Sequence, residues 1–432
     1  MPSAPDNSRR RLIPIALAQA LGLACGVAGV KLNSRFVPPA ELGVYGLFLT
    51  FAPIGMWVVH AGLVKFTGRH WAGSPDRPGL WREIVVAWAR RLPWLALAAA
   101  AAMLALDGRT PGLDWALGPA LFTAAALLAL GTLMQAALQA ERAHWSDCAV
   151  AVSGSLTRTF LPPLLFICTA GPVAMLWLGF CLHALVFAAA GLWMLRRYWS
   201  RPETGRPASP QLTAVYQGPL FIALAMAGWV LTGLNRWLVA WRFGAVETGY
   251  FTLAGGAAMI APSVLGTVLL QYSQPVFFAL GDAQPSNPRL LARRVDQVAL
   301  AFGALALLAV EGVTFIAPWL VGPLINPAYR DSLHWILPAG CFATATMTGV
   351  FYHTLLLAGH RERACGPVDL TTAAVLAAGC VLAALAGQAW LSRWLTCTPL
   401  VPWLLTRPLA RRYLFKPEPG PAPAPGPRET SG

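Results

Sequence analysis

The sequence predicts an all-α polytopic membrane protein of about twelve transmembrane helices in two pseudo-symmetric six-helix halves. Three observations carry this. Hydrophobic residues make up 56% of the chain and charged residues only 12%, against roughly 25% charged in a soluble domain. So few charges cannot cover the surface of a water-soluble protein of 432 residues. Apolar stretches of about 20 residues, enough to cross the hydrocarbon core, recur along the chain. Lys and Arg gather on alternate sides of those stretches. The composition, with a mean hydropathy of +0.56, excludes a soluble enzyme, a fibrous protein and a disordered chain.

The spans follow in order. Residues 12–31 come after Arg9-Arg10-Arg11 and lead into Lys31 and Arg35, so they read as a retained first helix rather than a cleaved signal peptide. Residues 42–64 begin beyond Pro38-Pro39 and stop at Lys65. Residues 84–106 and 115–138 are Ala/Leu-rich. Residues 148–170 are interrupted by Arg158 and Pro162-Pro163, and 173–195 are apolar but for His183. The second half repeats the pattern at 214–235, 248–272, 297–322, 333–357, 367–389 and 394–413, with Asn235-Arg236 closing the first and Pro399 and Pro402 inside the last.

On this alternation 24 Lys and Arg lie on the amino-terminal side and 7 on the other, and Arg158 inside a span completes the 32. The bias puts both termini in the cytoplasm. It also accounts for most of the net charge of +14, so nucleic acid is not expected as a partner. The polar segment 196–212 divides the chain into a first lobe, 1–200, and a second, 201–413. Residues 414–432 form a Pro-rich tail, expected to be extended and disordered. Eight cysteines lie mostly in apolar stretches with no C-x-x-C pair, and read as small buried hydrophobes.

The halves echo each other. Leu32-Asn33, Arg35, Phe36 and Glu41-Leu42-Gly43-Val44-Tyr45 match Leu234-Asn235-Arg236, Phe243 and Glu247-Thr248-Gly249-Tyr250. Leu138–Arg142 matches Leu357–Arg361. Six spans separate the copies, so they enter the membrane from the same side, related by an axis along its normal. Glu41 and Glu247 suit helix starts. Gly43 and Gly249 are expected to admit the preceding helix, and Tyr45 and Tyr250 to sit at the outer membrane interface.

Catalytic constellations are absent. There is no H-E-x-x-H, G-x-S-x-G, Walker A or Rossmann glycine run, and no cofactor or metal is expected. His183 and His353 read as hydrogen-bonded packing residues, and Gly22-x-x-x-Gly26 as a helix contact. Charges in or beside spans point to function, because burial in the membrane costs a few kcal/mol each. Arg158, Arg236, Arg35, Lys31 and Lys65 outnumber Glu311 and Asp369. A water-filled cavity lined this way attracts an anion such as a phosphate. Interfacial snorkelling is the simpler reading for Lys31, Arg35, Lys65 and Arg236. Arg158 sits deepest, in a run with Ser153, Ser155, Thr157 and Thr159. Glu311 and Asp369 read as charge-pairing, coupling or helix-start carboxylates.

Arg35-Phe36-Val37-Pro38-Pro39-Ala40-Glu41-Leu42-Gly43-Val44-Tyr45 resembles the R-x-L-G-P-x-x-F-G-x-Y pattern of Wzx-type polysaccharide-transporter flippases. Asn235-Arg236-Trp237 through Gly249-Tyr250 resembles their second-half pattern, with Asn235 where many relatives carry Asp. Asn326-Pro327-Ala328-Tyr329 is similar to their G-x-x-Y segment. The resemblance implies the multidrug/oligosaccharidyl-lipid/polysaccharide exporter fold, with two lobes around a central cavity and alternating access. It implies export of an undecaprenyl-diphosphate-linked oligosaccharide across a bacterial inner membrane, for O-antigen, exopolysaccharide or capsule assembly. The implied partners are that lipid-linked oligosaccharide, membrane lipid, and polysaccharide polymerase and chain-length regulator proteins. The competing readings are a small-molecule exporter of the same superfamily and a membrane polysaccharide polymerase or ligase. The longest predicted outer connection is about 12 residues, short for the polymerase class.

Overall fold

Helix starts are written into the chain by Pro and by short polar caps. Asp76 accepts from Gly79 N at 2.9 Å ahead of Pro78, and Asn287 accepts from Leu290 N at 3.3 Å ahead of Pro288. The computed structural model describes residues 7–71, 74, 76–106, 116–141, 143–169, 171–199, 227–230, 232–283 and 287–416. Those residues are helical almost throughout, with no strand among them.

The first half holds α1 (Asn7–Phe36), α2 (Pro39–His70), α3 (Arg77–Ala89), α4 (Leu92–Leu106), α5 (Leu117–Ala140), α6 (His144–Thr169) and α7 (Ala174–Leu195). The second holds α8 (Leu234–Ala258), α9 (Ile260–Ala283), α10 (Pro288–Leu320), α11 (Ile336–Ala358), α12 (Glu362–Ala386), α13 (Gln388–Cys397) and α14 (Arg407–Phe415). Nine stretches among the described residues are long and apolar enough to cross a membrane. The protein is an all-α polytopic membrane protein with two lobes around a central cavity.

Several spans differ from expectation. The stretch 84–106 is two helices, because the consecutive Arg90 and Arg91 occupy a turn between α3 and α4. Span 394–413 is divided among α13, a π-turn at Pro402–Thr406 and α14, since prolines withdraw backbone donors there. The seventh and eighth spans meet at Gly244 (φ 86°, ψ 179°), a conformation that only glycine adopts readily. Span 214–235 falls largely outside the described residues, as do 200–212 of the expected linker and 417–432 of the expected tail.

The halves are joined at one end of the bundle. A Cβ on Gly43 would run into the Ala245 carbonyl, and one on Gly249 into the Pro39 carbonyl. Gly43 and Gly249 thus admit each other's helix start rather than the preceding helix of their own half. Tyr329 Oη donates to Val37 O at 2.7 Å, and Ser34 Oγ donates to Leu324 O at 3.3 Å. One apolar cluster runs through Val37, Leu42, Tyr45 and Phe48 into Leu253, Ile325 and Tyr329. This junction also corrects the tyrosines. Tyr45 is only 3% exposed, stacked on Phe48, and Tyr250 meets the edge of Tyr329 at 5.9 Å. Both rings pack into this cluster, Tyr45 as a buried member and Tyr250 half-buried against it, rather than standing free at a helix end.

The second echo is tied down at both copies. Arg77 bridges Glu141 at 2.8 Å to the Tyr198 carbonyl at 2.9 Å, and Arg361 donates to Lys416 O at 2.9 Å. In each half the loop carrying the echo, or its partner, thereby reaches the chain beyond that half's last helix. All eight cysteines are free; Cys168 and Cys397 are exposed rather than buried, and Cys181 is half-buried.

Candidate functional site

Helix α1 presents Gly22, Gly26 and Gly29 on one face, three and four residues apart. Such a face allows close packing, and α6 takes the place. A Cβ at Gly29 would meet Thr159 at 3.6 Å, and Thr159 Oγ1 approaches Cys25 O at 3.3 Å. The small residues also leave space. A cavity of about 270 Å³ opens between α1, α2, α6 and α8, with Gly22, Gly26, Gly29 and Gly256 in its wall.

Two arginines face this cavity, one from each half: Arg158 from α6 and Arg236 from α8. Among the described residues, no Asp or Glu lines it. No ion pair of either arginine occurs among the described residues. Two nearby polar atoms, Asn33 Oδ1 and Thr252 Oγ1, are buried without a hydrogen-bond partner, and both residues belong to the wall. An uncompensated cationic pair with unsatisfied polar atoms is arranged to receive an anionic, hydrogen-bonding ligand.

The polar run on α6 divides by helical geometry. Ser155, Arg158 and Thr159 share the cavity face, while Thr157 turns away to His183 Nδ1 at 2.9 Å. His183 is buried and flanked by Phe180 and Phe187, a packing residue as expected.

The other candidates lie elsewhere. Arg35 is exposed, with its guanidinium 6.0 Å from the Phe36 ring, and does not line the cavity. Lys31 is exposed on α1. Lys65 belongs to α2, but its side chain lies outside the described residues. Glu311 is exposed on α10 and pairs with no basic side chain among the described residues. Asp369 pairs with His353 Nδ1 at 2.7 Å between α11 and α12.

Two features of the structure leave little mark in the sequence. Asn33 and Asn235 were visible as an echo, but not that Asn33 lines the cavity. A cluster in the second half, where Asp296 accepts from Arg407 at 3.0 Å and also from Arg411, had only the i, i+4 spacing of the two arginines as a signal.

No protein-family model and no curated protein sequence matches the chain. Solved structures match in fold. One is the lipid II flippase MurJ in an inward closed conformation, with a TM-score of 0.65 at 9% identity over 95% of this chain and 88% of that one. Another is an outward-facing multidrug resistance transporter of the MATE family and MOP superfamily, with a TM-score of 0.59 at 12% identity over 93% and 94%. A third is a MOP-superfamily transporter from Pyrococcus furiosus, described as having a binding pocket of reverse polarity, with a TM-score of 0.53 at 13% identity over 93% and 94%. The chain has the fold these transporters share.

Proposed function

We propose that this chain is a flippase that carries an undecaprenyl-diphosphate-linked oligosaccharide across a bacterial inner membrane by alternating access, for surface-polysaccharide assembly. The observation that carries the reading is the placement of Arg158 and Arg236, from different halves, in one cavity with no carboxylate among the described residues. A guanidinium holds a phosphate through two parallel charge-assisted hydrogen bonds. A diphosphate offers two such groups, one for each arginine. The asparagine and threonine in the wall suit the hydroxyls of the attached sugar. The MurJ-like fold supports the reading, since that protein is a lipid II flippase.

In this reading the lobes are 1–200 and 201–413, and both termini are cytoplasmic. The junction at Gly43 and Gly249 then lies at the outer side, and the cavity is reached from the cytoplasm. The anion is bound between the halves, and outward exposure requires the junction to part. Polymerase and chain-length regulator proteins would act on the delivered product.

Binding of a polyprenyl diphosphate to the purified protein tests the reading, with an organic cation as comparison. Saturable binding of the diphosphate, lost in Arg158→Ala and Arg236→Ala, supports it. Saturable binding of the cation alone would overturn it in favour of a small-molecule exporter.

A further inference from the structure

A second basic cavity, about 410 Å³, lies outside the site above and shares no residue with it. We propose that it holds the phosphate of an anionic glycerophospholipid from the surrounding bilayer, with the acyl chain lying along α10. Its walls are two helical faces that change character in the same direction. On α10, Arg293, Gln297 and Leu300 follow at four and three residues. Along the π-turn and α14, Arg411, Arg407 and Trp403 follow at intervals of four. Each face therefore runs from guanidinium to apolar side chain. The Arg407 guanidinium stands 5.7 Å from the Trp403 ring.

The charge at the basic end is only partly compensated. Asp296 is the one carboxylate in the wall among the described residues; it accepts from Arg407 at 3.0 Å, from Arg411, and from Tyr352 Oη at 3.2 Å. Three arginines against one aspartate leave an excess of two positive charges. Arg411 Nε is buried with no acceptor. The shared carboxylate fixes the two guanidiniums in place without using all their donors, so a phosphate oxygen finds a prepared site.

The apolar end points to a lipid rather than a free phosphate. Leu300 is 60% exposed, and farther along α10 Leu308, Phe315 and Trp319 are exposed as well. Exposed apolar side chains over several turns of a transmembrane helix face acyl chains. Arg293, Arg407 and Arg411 all belong to the side where the chain's basic residues gather. Basic pockets between helices on that side suit anionic head groups.

Native mass spectrometry of the full chain tests the proposal, in detergent with equal palmitoyl-oleoyl phosphatidylglycerol and phosphatidylcholine. The wild type should retain phosphatidylglycerol selectively. Arg293→Gln combined with Arg411→Gln should weaken retention about tenfold or more, while Arg393→Gln, over Trp390, should leave it unchanged. Leu300→Gln keeps every charge and changes only an exposed side chain, so it carries the test if the double variant fails to fold. It should also weaken retention of phosphatidylglycerol. Equal retention in all folded variants, or equal retention of both lipids by the wild type, overturns the proposal. Full displacement of phosphatidylglycerol by millimolar inorganic phosphate overturns it too, by making the site one for free phosphate.

Discussion

Gly43 and Gly249 seat each other's helix starts: the first lies against the Ala245 carbonyl, the second against the Pro39 carbonyl. Each half therefore contributes one glycine and one carbonyl to the same junction. The motif that looks like a local helix-start signature in the sequence is in the structure the surface by which the halves close.

Replacing either glycine should weaken that closure. In Gly43→Ala or Gly249→Ala the new methyl meets backbone, which cannot rotate aside, and overpacking of this kind costs about 1–3 kcal/mol. Asn326 N lies 3.4 Å from Ser34 Oγ across the junction. A Ser34→Cys, Asn326→Cys pair in an otherwise cysteine-free chain should cross-link readily, and severalfold less in either glycine variant. Undiminished cross-linking would count against closure at this point.

Truncating the cavity arginines should cost export at normal protein abundance. Losing a charge-assisted hydrogen bond costs about 1.5–3 kcal/mol, so Arg158→Ala and Arg236→Ala should each reduce glycan export by about ten- to a hundredfold. Lysine should restore it only in part, because it lacks the planar fork. Two residues sharing one anion should combine non-additively. Export is to be measured with membrane levels checked, and full export in Arg158→Ala removes the centre of the proposed site.

A separate expectation concerns stability. Arg77 and Glu141 form an ion pair at 2.8 Å with side chains only 1% and 4% exposed. Removing one member of a buried ion pair costs about 3–5 kcal/mol. Arg77→Ala should lower the thermal midpoint in detergent markedly. Glu141→Gln, which keeps a hydrogen-bonding side chain, should lower it less. Unchanged midpoints in both would show the pair to be dispensable.

The charge bias makes a topological forecast. A cysteine at Thr110 should label with an impermeant reagent from outside. One at Thr204 should label only once the cytoplasmic face is open. The opposite pattern would reverse the orientation and, with it, the side from which the cavity is reached.

Fold class was legible because it rests on hydropathy, which every apolar stretch repeats. Helix breaks were legible only in part. Pro399 and Pro402 announced trouble in the last span, whereas the turn at Arg90-Arg91 and the break at Gly244 depend on neighbours the sequence does not reveal. For the site, Arg158 and Arg236 stood out as charges in apolar surroundings, and both reach the cavity. Arg35 echoes Arg236 in sequence, yet it is exposed beside Phe36. The echo sets position along the chain, but rotation about the helix axis decides which way a side chain faces. The tyrosines show the same limit: amphipathic rings near a span end suit an interface until an apolar cluster takes them in.

An edge that fits its own copy is how two identical subunits close a symmetric dimer. Here one polypeptide supplies both copies, so stoichiometry is fixed and neither copy must serve the other's role. The two echoing carboxylates are held differently. Glu247 is gripped by Trp335 Nε1 at 2.5 Å, Gln388 Nε2 at 2.7 Å and His334 Nε2 at 3.1 Å. Glu41 keeps Oε2 buried with no hydrogen-bond partner among the described residues. The two edges of the junction therefore differ: the Glu247 edge is tied to side chains of its own half, whereas Glu41 has no such tie among the described residues and its edge is held across the halves by Ser34 and Tyr329.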